Sequence, residues 1–119
     1  MEKRVKNNEL AVKIGELLSE HKCSNTIVID VGETCSWTDF FIITTVRSSA
    51  HTQGLLRYLY CFIKDNNMNQ LNHRKNTKET GWILLDCGDI VIHLMEEEQR
   101  LFYEIERLWF KGTVLYTEK

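Results

Sequence analysis

A segment that is apolar on both of its faces sets the architecture predicted for this chain. Residues 39–46 read Asp-Phe-Phe-Ile-Ile-Thr-Thr-Val, a run rich in the aromatic and β-branched side chains that favour strands. A strand with one face in water alternates apolar and polar residues, and this run does not alternate. It therefore predicts a central strand that other elements cover on each side of a sheet.

Helical patterns on either side of this run supply elements that can cover it. Apolar residues at helical spacing predict helices over residues 7–22 and 49–65, the second of them capped by Ser48 or Ser49. A third helix is predicted to begin at Glu96. The side chains expected on its buried stripe are Leu101, Ile105 and Leu108.

The remaining apolar runs predict further strands. They cover residues 26–31, 82–85 and 90–95, with a short edge strand at 70–74 and a weak final strand or tail at 114–116. The gap Asp86-Cys87-Gly88-Asp89 contains glycine between two apolar runs, which signals a hairpin. The element order predicts an α/β (α+β) fold, a mixed sheet of about five strands with helices packed on it. A length of 119 residues suits one domain over residues 1–119.

The charge balance argues against a non-specific nucleic-acid binder. Lys and Arg total 15 and Asp and Glu total 17, for a formal net charge of −2. A protein that binds nucleic acid without sequence preference needs a basic surplus to displace counterions. The composition leaves room only for a local basic patch.

Cysteine spacing and hydropathy predict a cytoplasmic protein without a membrane segment. The four cysteines are Cys23, Cys35, Cys61 and Cys87. No two lie close together in sequence, so redox and zinc-ribbon spacings are absent and reduced thiols are expected. The charged start is not followed by the apolar run of a signal peptide. No apolar stretch approaches the roughly 20 residues that a membrane helix needs.

The best candidates for paired catalytic carboxylates are Asp86 and Asp89. Two-metal phosphoryl chemistry needs carboxylates that converge on one ion pair. Residues two apart on a strand share a face, whereas a spacing of three across a glycine turn does not bring side chains together so directly. The simpler interpretation is that these aspartates and Gly88 shape the turn.

The histidines, together with Cys61 and the two serines at the start of the second predicted helix, give no strong signal of a metal or anion site. The residues His51, Cys61, His73 and His93 match no metal-ligand spacing, so no metal site is expected. His93 lies between Val91 and Met95 on one strand face, which indicates a structural or interface role. Ser48, Ser49 and His51 could hold an anion at a helix start, but capping is the simpler interpretation.

The aromatic residues are more informative about binding. Trp and Tyr are favoured anchors in protein interfaces, and Trp82 opens a strand beside a polar loop. An interface role and core packing are both open for Trp82, and core packing is favoured for Trp109. Tyr103 lies between them, in the predicted last helix.

At this point the sequence resembles a known family, the iojap-like ribosomal silencing factors. Residues 81–95 read Gly-Trp-Ile-Leu-Leu-Asp-Cys-Gly-Asp-Ile-Val-Ile-His-Leu-Met. Residues 96–109 continue with Glu-Glu-Glu-Gln-Arg-Leu-Phe-Tyr-Glu-Ile-Glu-Arg-Leu-Trp. Upstream, Ile29-Asp30-Val31, Thr38-Asp39-Phe40-Phe41, and Ser48 with His51 agree with the same family. The resemblance covers the chain from about Leu10 to Trp109.

The resemblance implies a fold and a function. The fold would be related to that of nucleotidyltransferases but lack their catalytic carboxylate set, so no enzymatic activity and no cofactor are expected. The partner would be the fourteenth ribosomal protein of the large subunit, on the intersubunit face. A factor bound there would block subunit joining and lower translation during nutrient limitation. Mitochondrial and plastid relatives act in ribosome assembly, which makes a large-subunit assembly factor a neighbouring interpretation.

The expected contact surface follows from the hairpin and the helix after it. The residues expected to bind the ribosomal protein are Trp82, Asp86, Gly88, Asp89, His93, Arg100 and Tyr103. The turn aspartates would offer acceptors to a basic protein surface. In the polar loop before Gly81, Arg74, Lys75 and Lys78 are expected to touch ribosomal RNA phosphates peripherally. The other interpretations are a nucleotidyltransferase-like phosphoryl-transfer enzyme and a homodimer that forms off the ribosome.

Overall fold

The computed structural model describes residues 2–36, 38–68, 72–73, 81–104, 107 and 112–118. The helices are α1 (Glu2–Glu20), α2 (Ser49–Asp65) and α3 (Glu97–Tyr103). The strands are β1 (Ser24–Asp30), β2 (Phe40–Val46), β3 (Asn72–His73), β4 (Trp82–Asp86), β5 (Ile90–Glu96) and β6 (Thr113–Glu118). Within these ranges, no helix combines the length and apolar character needed to cross a membrane.

The described strands form one mixed sheet in the order β3-β4-β5-β2-β1-β6. β2 pairs in parallel with β5, and every other neighbouring pair is antiparallel. The predicted mixed sheet with packed helices is therefore confirmed. The strand beyond the expected five is β6, the segment predicted as a weak strand or tail, which adds to the edge beside β1.

β2 is the central strand that its unbroken apolar run predicted. All seven of its residues are buried, because β1 and β5 flank it and both faces of the sheet are covered there. Its threonines do not leave buried polar groups unsatisfied. The hydroxyl of Thr44 lies 2.6 Å from that of Thr26 on β1, in a buried hydrogen bond between neighbouring strands.

The sheet has two differently covered faces. On the helix face, Leu10, Ile14 and Leu18 of α1 pack with apolar residues of α2 and of the sheet. The second face points away from α1 and α2. Its buried cluster comprises Ile29, Val31, Cys35, Phe41, Ile43, Val91 and Met95, with Ile27, Trp82 and Leu84 packed against it. The two clusters follow from strand alternation, since successive side chains point to opposite faces.

A glycine allows α1 to lie unusually close to the sheet. A Cβ atom built on Gly15 would lie 2.7 Å from Val28 Cγ2 and 3.1 Å from a ring carbon of Tyr116. Real Cβ atoms do not approach other carbons so closely, so any side chain here must push α1 away from β1 and β6. The Tyr116 hydroxyl also donates to Ser19 Oγ at 3.0 Å, which ties β6 to the same helix.

We therefore expect Gly15→Ala to destabilise the protein by about 1–3 kcal/mol, because overpacking outweighs the gain in helix propensity. The matched control is Gly54→Ala on α2, where an added Cβ meets nothing within 4 Å. That variant should keep or raise stability, by up to about 1 kcal/mol. Urea unfolding of both variants measures the difference. Equal stabilisation by the two substitutions would show that α1 does not depend on this close approach.

The last helix is shorter than predicted, and one residue of its expected buried stripe was placed wrongly. α3 ends at Tyr103, and Glu104 takes left-handed dihedrals (φ 45°, ψ 48°) with its N–H bonded to the carbonyl of Arg100. Leu101 is 68% exposed rather than buried. The helical stripe assumed an uninterrupted helix, and the left-handed residue breaks that assumption. Ile105, Leu108 and Trp109 lie outside the described residues.

Candidate functional site

The β4–β5 hairpin brings most of the predicted contact residues together on the second face. Trp82 pairs with Met95, Leu84 with His93, and Asp86 with Val91. Directly opposed residues of antiparallel strands point to the same side, and residues two apart on one strand do also. Trp82, Asp86 and His93 therefore share one face, on strands that hold them fixed.

Trp82 and His93 form a hydrogen-bonded pair. The indole Nε1–H donates to His93 Nδ1 at 3.2 Å, and the ring centroids lie 5.9 Å apart. Phe41 of β2 also meets the imidazole edge-on, at a centroid distance of 5.1 Å. Because Nδ1 accepts a hydrogen bond, the ring proton must reside on Nε2. The pair thus fixes both the histidine tautomer and the orientation of the half-buried indole.

His93 is neutral in this setting. Only 5% of the residue is exposed, and burial lowers its pKa from the ordinary 6.5 to about 4. Its Nε2 is buried and has no hydrogen-bond partner among the described residues. A neutral imidazole with one committed nitrogen suits a positioning role for the tryptophan beside it, as the sequence pattern indicated for a structural or interface histidine.

The Asp86 carboxylate shapes the turn. Its Oδ1 accepts from the backbone N–H of Gly88 at 2.8 Å, and Gly88 has a φ of 83°. The Cys87 N–H donates to the carbonyl of Ile90 at 2.8 Å, which closes the hairpin. Only glycine takes this backbone conformation without strain. The turn-shaping interpretation of Asp86 and Gly88 is confirmed.

Asp89 is engaged with the opposite side of the sheet. Its Oδ2 accepts from the side-chain amide of Asn7 on α1 at 3.1 Å. Its backbone carbonyl accepts from the N–H groups of Asp39 and Phe40, at 3.1 and 3.0 Å. The two turn aspartates are therefore held by different partners. Across the described residues, no three Asp, Glu, His or Cys side chains come together as metal ligands.

Arg100 lies on α3 and reaches back across the sheet. Its Nη1 donates to the carbonyl of Asn25 and, at 3.0 Å, to the hydroxyl of Thr45. Thr45 of β2 pairs with Met95 of β5, and Met95 pairs with Trp82 of β4. The Arg100 guanidinium therefore lies on the same face of the sheet as Trp82, two strands away. A groove of about 320 Å³ opens here. It is lined by Asn25, Ile27, Thr45, Glu97, Arg100, Leu101, Glu104 and Thr117.

Sequence reasoning missed two exposed apolar side chains on α3, of which Leu101 lines this groove. Leu101 is 68% exposed and Phe102 is 76% exposed. An exposed apolar pair on a short helix extends the area that could contact a protein. The signal in the sequence was the run Arg-Leu-Phe-Tyr. Three successive large apolar side chains point in different directions around a helix, so one buried stripe cannot hold all of them.

Other predicted residues have simpler outcomes. Ser48 caps α2, because its Oγ accepts from the N–H of His51 at 3.1 Å, so the capping interpretation is confirmed. Tyr103 ends α3, and its side chain lies outside the described part of the structure. Arg74, Lys75 and Lys78 also lie outside the described residues, so their expected RNA contacts stay predictions.

Comparison with known proteins adds a family. A family model described as "Ribosomal silencing factor during starvation" matches residues 4–118. The chain is 31% identical to the "Ribosomal silencing factor RsfS" of Treponema pallidum, covering 86% of this chain and 91% of that protein. It is 32% identical to "Protein Iojap, chloroplastic" of Zea mays, over 87% of this chain and 44% of that protein. It is also 32% identical to "Mitochondrial assembly of ribosomal large subunit protein 1" of Mus musculus, over 78% of this chain and 42% of that protein.

Solved structures are similar in fold. A protein of Chromobacterium violaceum superposes with a TM-score of 0.73 at 25% identity, covering 86% of this chain and 82% of that one. A protein of Bacillus halodurans gives a TM-score of 0.70 at 21% identity, covering 91% and 94%. The second similarity supports the fold alone. The implied relation to nucleotidyltransferases is compatible with this sheet and stays a prediction.

Proposed function

We propose that this chain, which belongs to the family of ribosomal silencing factors, binds the large ribosomal subunit and keeps the small subunit from joining it. The observation that carries this proposal is the family match across residues 4–118, which includes the whole β4–β5 hairpin. The consequence would be lower translation when nutrients are limiting. The protein would act in the cytoplasm, as one domain, by binding and without catalysis or a cofactor.

The proposed partner is the fourteenth ribosomal protein of the large subunit, at the intersubunit face. Trp82, Asp86 and His93 support this because they share one face of a rigid hairpin, so little ordering is required on binding. Trp82 offers a large, oriented apolar area, and Asp86, at the other end of the same strand face, offers carboxylate oxygen to a basic protein. Gly88, Arg100 and Tyr103 complete the proposed surface. The Asp89 carboxylate meets Asn7 of α1 on the other face of the sheet, so its proposed contact requires a partner that reaches around the turn.

The direct test is co-sedimentation of the purified protein with large subunits that have been separated from small subunits. We expect the protein to travel with large subunits, and not with small subunits used as the control. Pre-bound protein should then reduce the yield of joined ribosomes when small subunits are added. If the protein stays at the top of the gradient with both subunits, the proposed function is wrong.

A role in large-subunit assembly is the second candidate, favoured by the name of the mouse relative. Silencing and assembly differ in when the protein matters. A strain that lacks a silencing factor should show excess joined ribosomes during starvation and normal subunits during growth. A strain that lacks an assembly factor should accumulate large-subunit precursors during growth.

Phosphoryl transfer receives no comparable support from the site. Asp86 Oδ1 accepts from the turn backbone and Asp89 Oδ2 accepts from Asn7 of α1, so the two carboxylates are held by different partners. Calorimetry with magnesium and nucleoside triphosphates tests this alternative, and binding heat would favour it. A homodimer off the ribosome is a compatible proposal that light scattering can test.

The basic residues Arg74, Lys75 and Lys78 are proposed to touch ribosomal RNA peripherally. Phosphate contacts position a protein without specifying its site, and each releases counterions. Replacing all three residues with alanine should weaken binding to large subunits and flatten its salt dependence, by roughly two units in the slope of log K against log salt. The measurement is co-sedimentation across a salt series. An unchanged slope would contradict the contact.

A further inference from the structure

The end of α1, the end of β2 and the exposed side of α2 carry an aromatic and basic surface that the hairpin does not use. This junction surface consists of His21, Lys22, Arg47 and Tyr58. The imidazole of His21 stacks on the Tyr58 ring, with centroids 4.0 Å apart and an angle of 23° between the planes. Two helices and the end of β2 therefore meet at one small patch.

His51 ties the three elements of the junction surface together. Its Nδ1 accepts from the backbone N–H of Arg47 at 3.0 Å, so its ring proton resides on Nε2. Nε2 lies 2.8 Å from the carbonyl of His21, to which it donates. The patch is thus held by hydrogen bonds beneath it, and its aromatic stack is oriented before any partner arrives.

The junction surface is open and carries positive charge. Tyr58 is 52% exposed, and Lys22 and Arg47 are exposed. In the described part of the chain, neither cation lies within 4 Å of a carboxylate, and the first turn of α2 contains no acidic residue. One carboxylate, that of the exposed Glu20, is adjacent in sequence. The net charge of −2 for the whole chain makes this local arrangement a departure from the average surface.

We propose that the junction surface is an RNA-binding site, at which Lys22 and Arg47 hold phosphates and an unpaired base stacks on the exposed side of the His21–Tyr58 pair. Cations that track a backbone beside an exposed aromatic ring are the arrangement that recognises unpaired nucleotides. A surface that binds an acidic protein would need the two cations but not the Tyr58 ring. A duplex keeps its bases paired and would not present one to Tyr58. On the proposed function, which this inference extends, the RNA is ribosomal.

Fluorescence anisotropy with a labelled RNA hairpin carrying a loop of about eight unpaired uridines tests the proposal. The protein should bind this RNA at low salt. Tyr58→Ala should lower the affinity about 10-fold, and Tyr58→Phe, which keeps the ring, should restore it. The double variant Lys22→Ala/Arg47→Ala should weaken binding and reduce the salt slope by roughly 1.4, the value for two phosphate contacts on a single strand.

The matched control is Lys6→Ala/Lys13→Ala, which removes two exposed lysines of α1 that lie at least nine residues before Lys22. It should leave both affinity and salt slope near wild type. Thermal unfolding of every variant checks that α1 and α2 remain packed. A fully paired RNA of equal length should bind without dependence on Tyr58.

Absence of RNA binding by the wild-type protein would overturn the proposal, as would equal losses in the junction and control variants. Loss of affinity for an acidic peptide but not for RNA in the junction variants would instead indicate a protein partner. These results are separable from the proposed function, because co-sedimentation with large subunits uses the whole particle and the hairpin surface. Co-sedimentation without RNA binding would remove this inference alone.

Discussion

Trp82→Ala should lower the affinity of the protein for large ribosomal subunits at least about 30-fold, which corresponds to about 2 kcal/mol. The tryptophan is half-buried, oriented by its hydrogen bond to His93, and placed on the same face as Asp86. An aromatic anchor that is already oriented loses little conformational entropy on binding. Truncation removes that anchor, and co-sedimentation at a series of protein concentrations measures the loss.

Two controls decide what such a loss means. Trp82→Phe keeps most of the ring area but cannot donate to His93, so it should bind more tightly than Trp82→Ala and more weakly than wild type. Thermal unfolding of both variants shows whether the fold persists. If Trp82→Ala unfolds, the tryptophan serves core packing. If it folds normally and binds large subunits as tightly as wild type, the interface lies on another surface.

The second large effect concerns the pH dependence of stability. Burial lowers the pKa of His93 to about 4, against an ordinary value of 6.5. In the unfolded chain, His93 therefore takes up a proton near pH 6.5. In the folded protein, it stays neutral until the pH falls to about 4. Stability from the neutral histidine is complete above pH 6.5 and falls as the pH drops towards 4, by about 3 kcal/mol in total.

His93→Asn isolates this contribution from that of the carboxylates, which titrate in the same acidic range. Asparagine keeps an acceptor near the Nδ1 position for the Trp82 indole but has no titrating group. The variant should be less stable than wild type at pH 7, because its packing against Phe41 is lost. The difference in unfolding free energy between wild type and variant should narrow by about 3 kcal/mol between pH 7 and pH 4. Urea unfolding across this range is the measurement, and parallel curves would mean that His93 does not titrate as described.

Local patterns were sufficient where a segment's own side chains decide its environment. The unbroken apolar run of β2 predicted a central strand, and all of its residues are buried. The pattern at 114–116 was too short to decide between strand and tail. The segment is a strand because it pairs with β1. Pairing between segments far apart in the chain cannot be predicted from the side chains of either segment alone. Leu101 was misplaced because a helical period says nothing about the residue at which a helix stops.

The candidate site shows the same division. Alternation along β4 and β5 was enough to group Trp82, Asp86 and His93 near one hairpin. The partners of these side chains depend on tertiary contacts that no spacing reveals. Asp89 meets Asn7 from α1, and Arg100 meets the carbonyl of Asn25 from β1. The His21–Tyr58 stack was missed for the same reason, since the two rings belong to helices far apart in sequence.

The parallel pairing of β2 with β5 also governs how this protein can fold while it is being made. Phe40 lies opposite Ile90, and Asp30 lies opposite Thr113, so both partners of the core strands arrive late. The β1–β2 hairpin can form early, but β2 then keeps an open edge until β5 is synthesised, a delay of several seconds at roughly 5–20 residues per second. Contacts between such distant residues also slow folding through loop-closure entropy. The nascent chain therefore passes through an interval in which its most apolar strand is exposed to neighbouring chains and to chaperones.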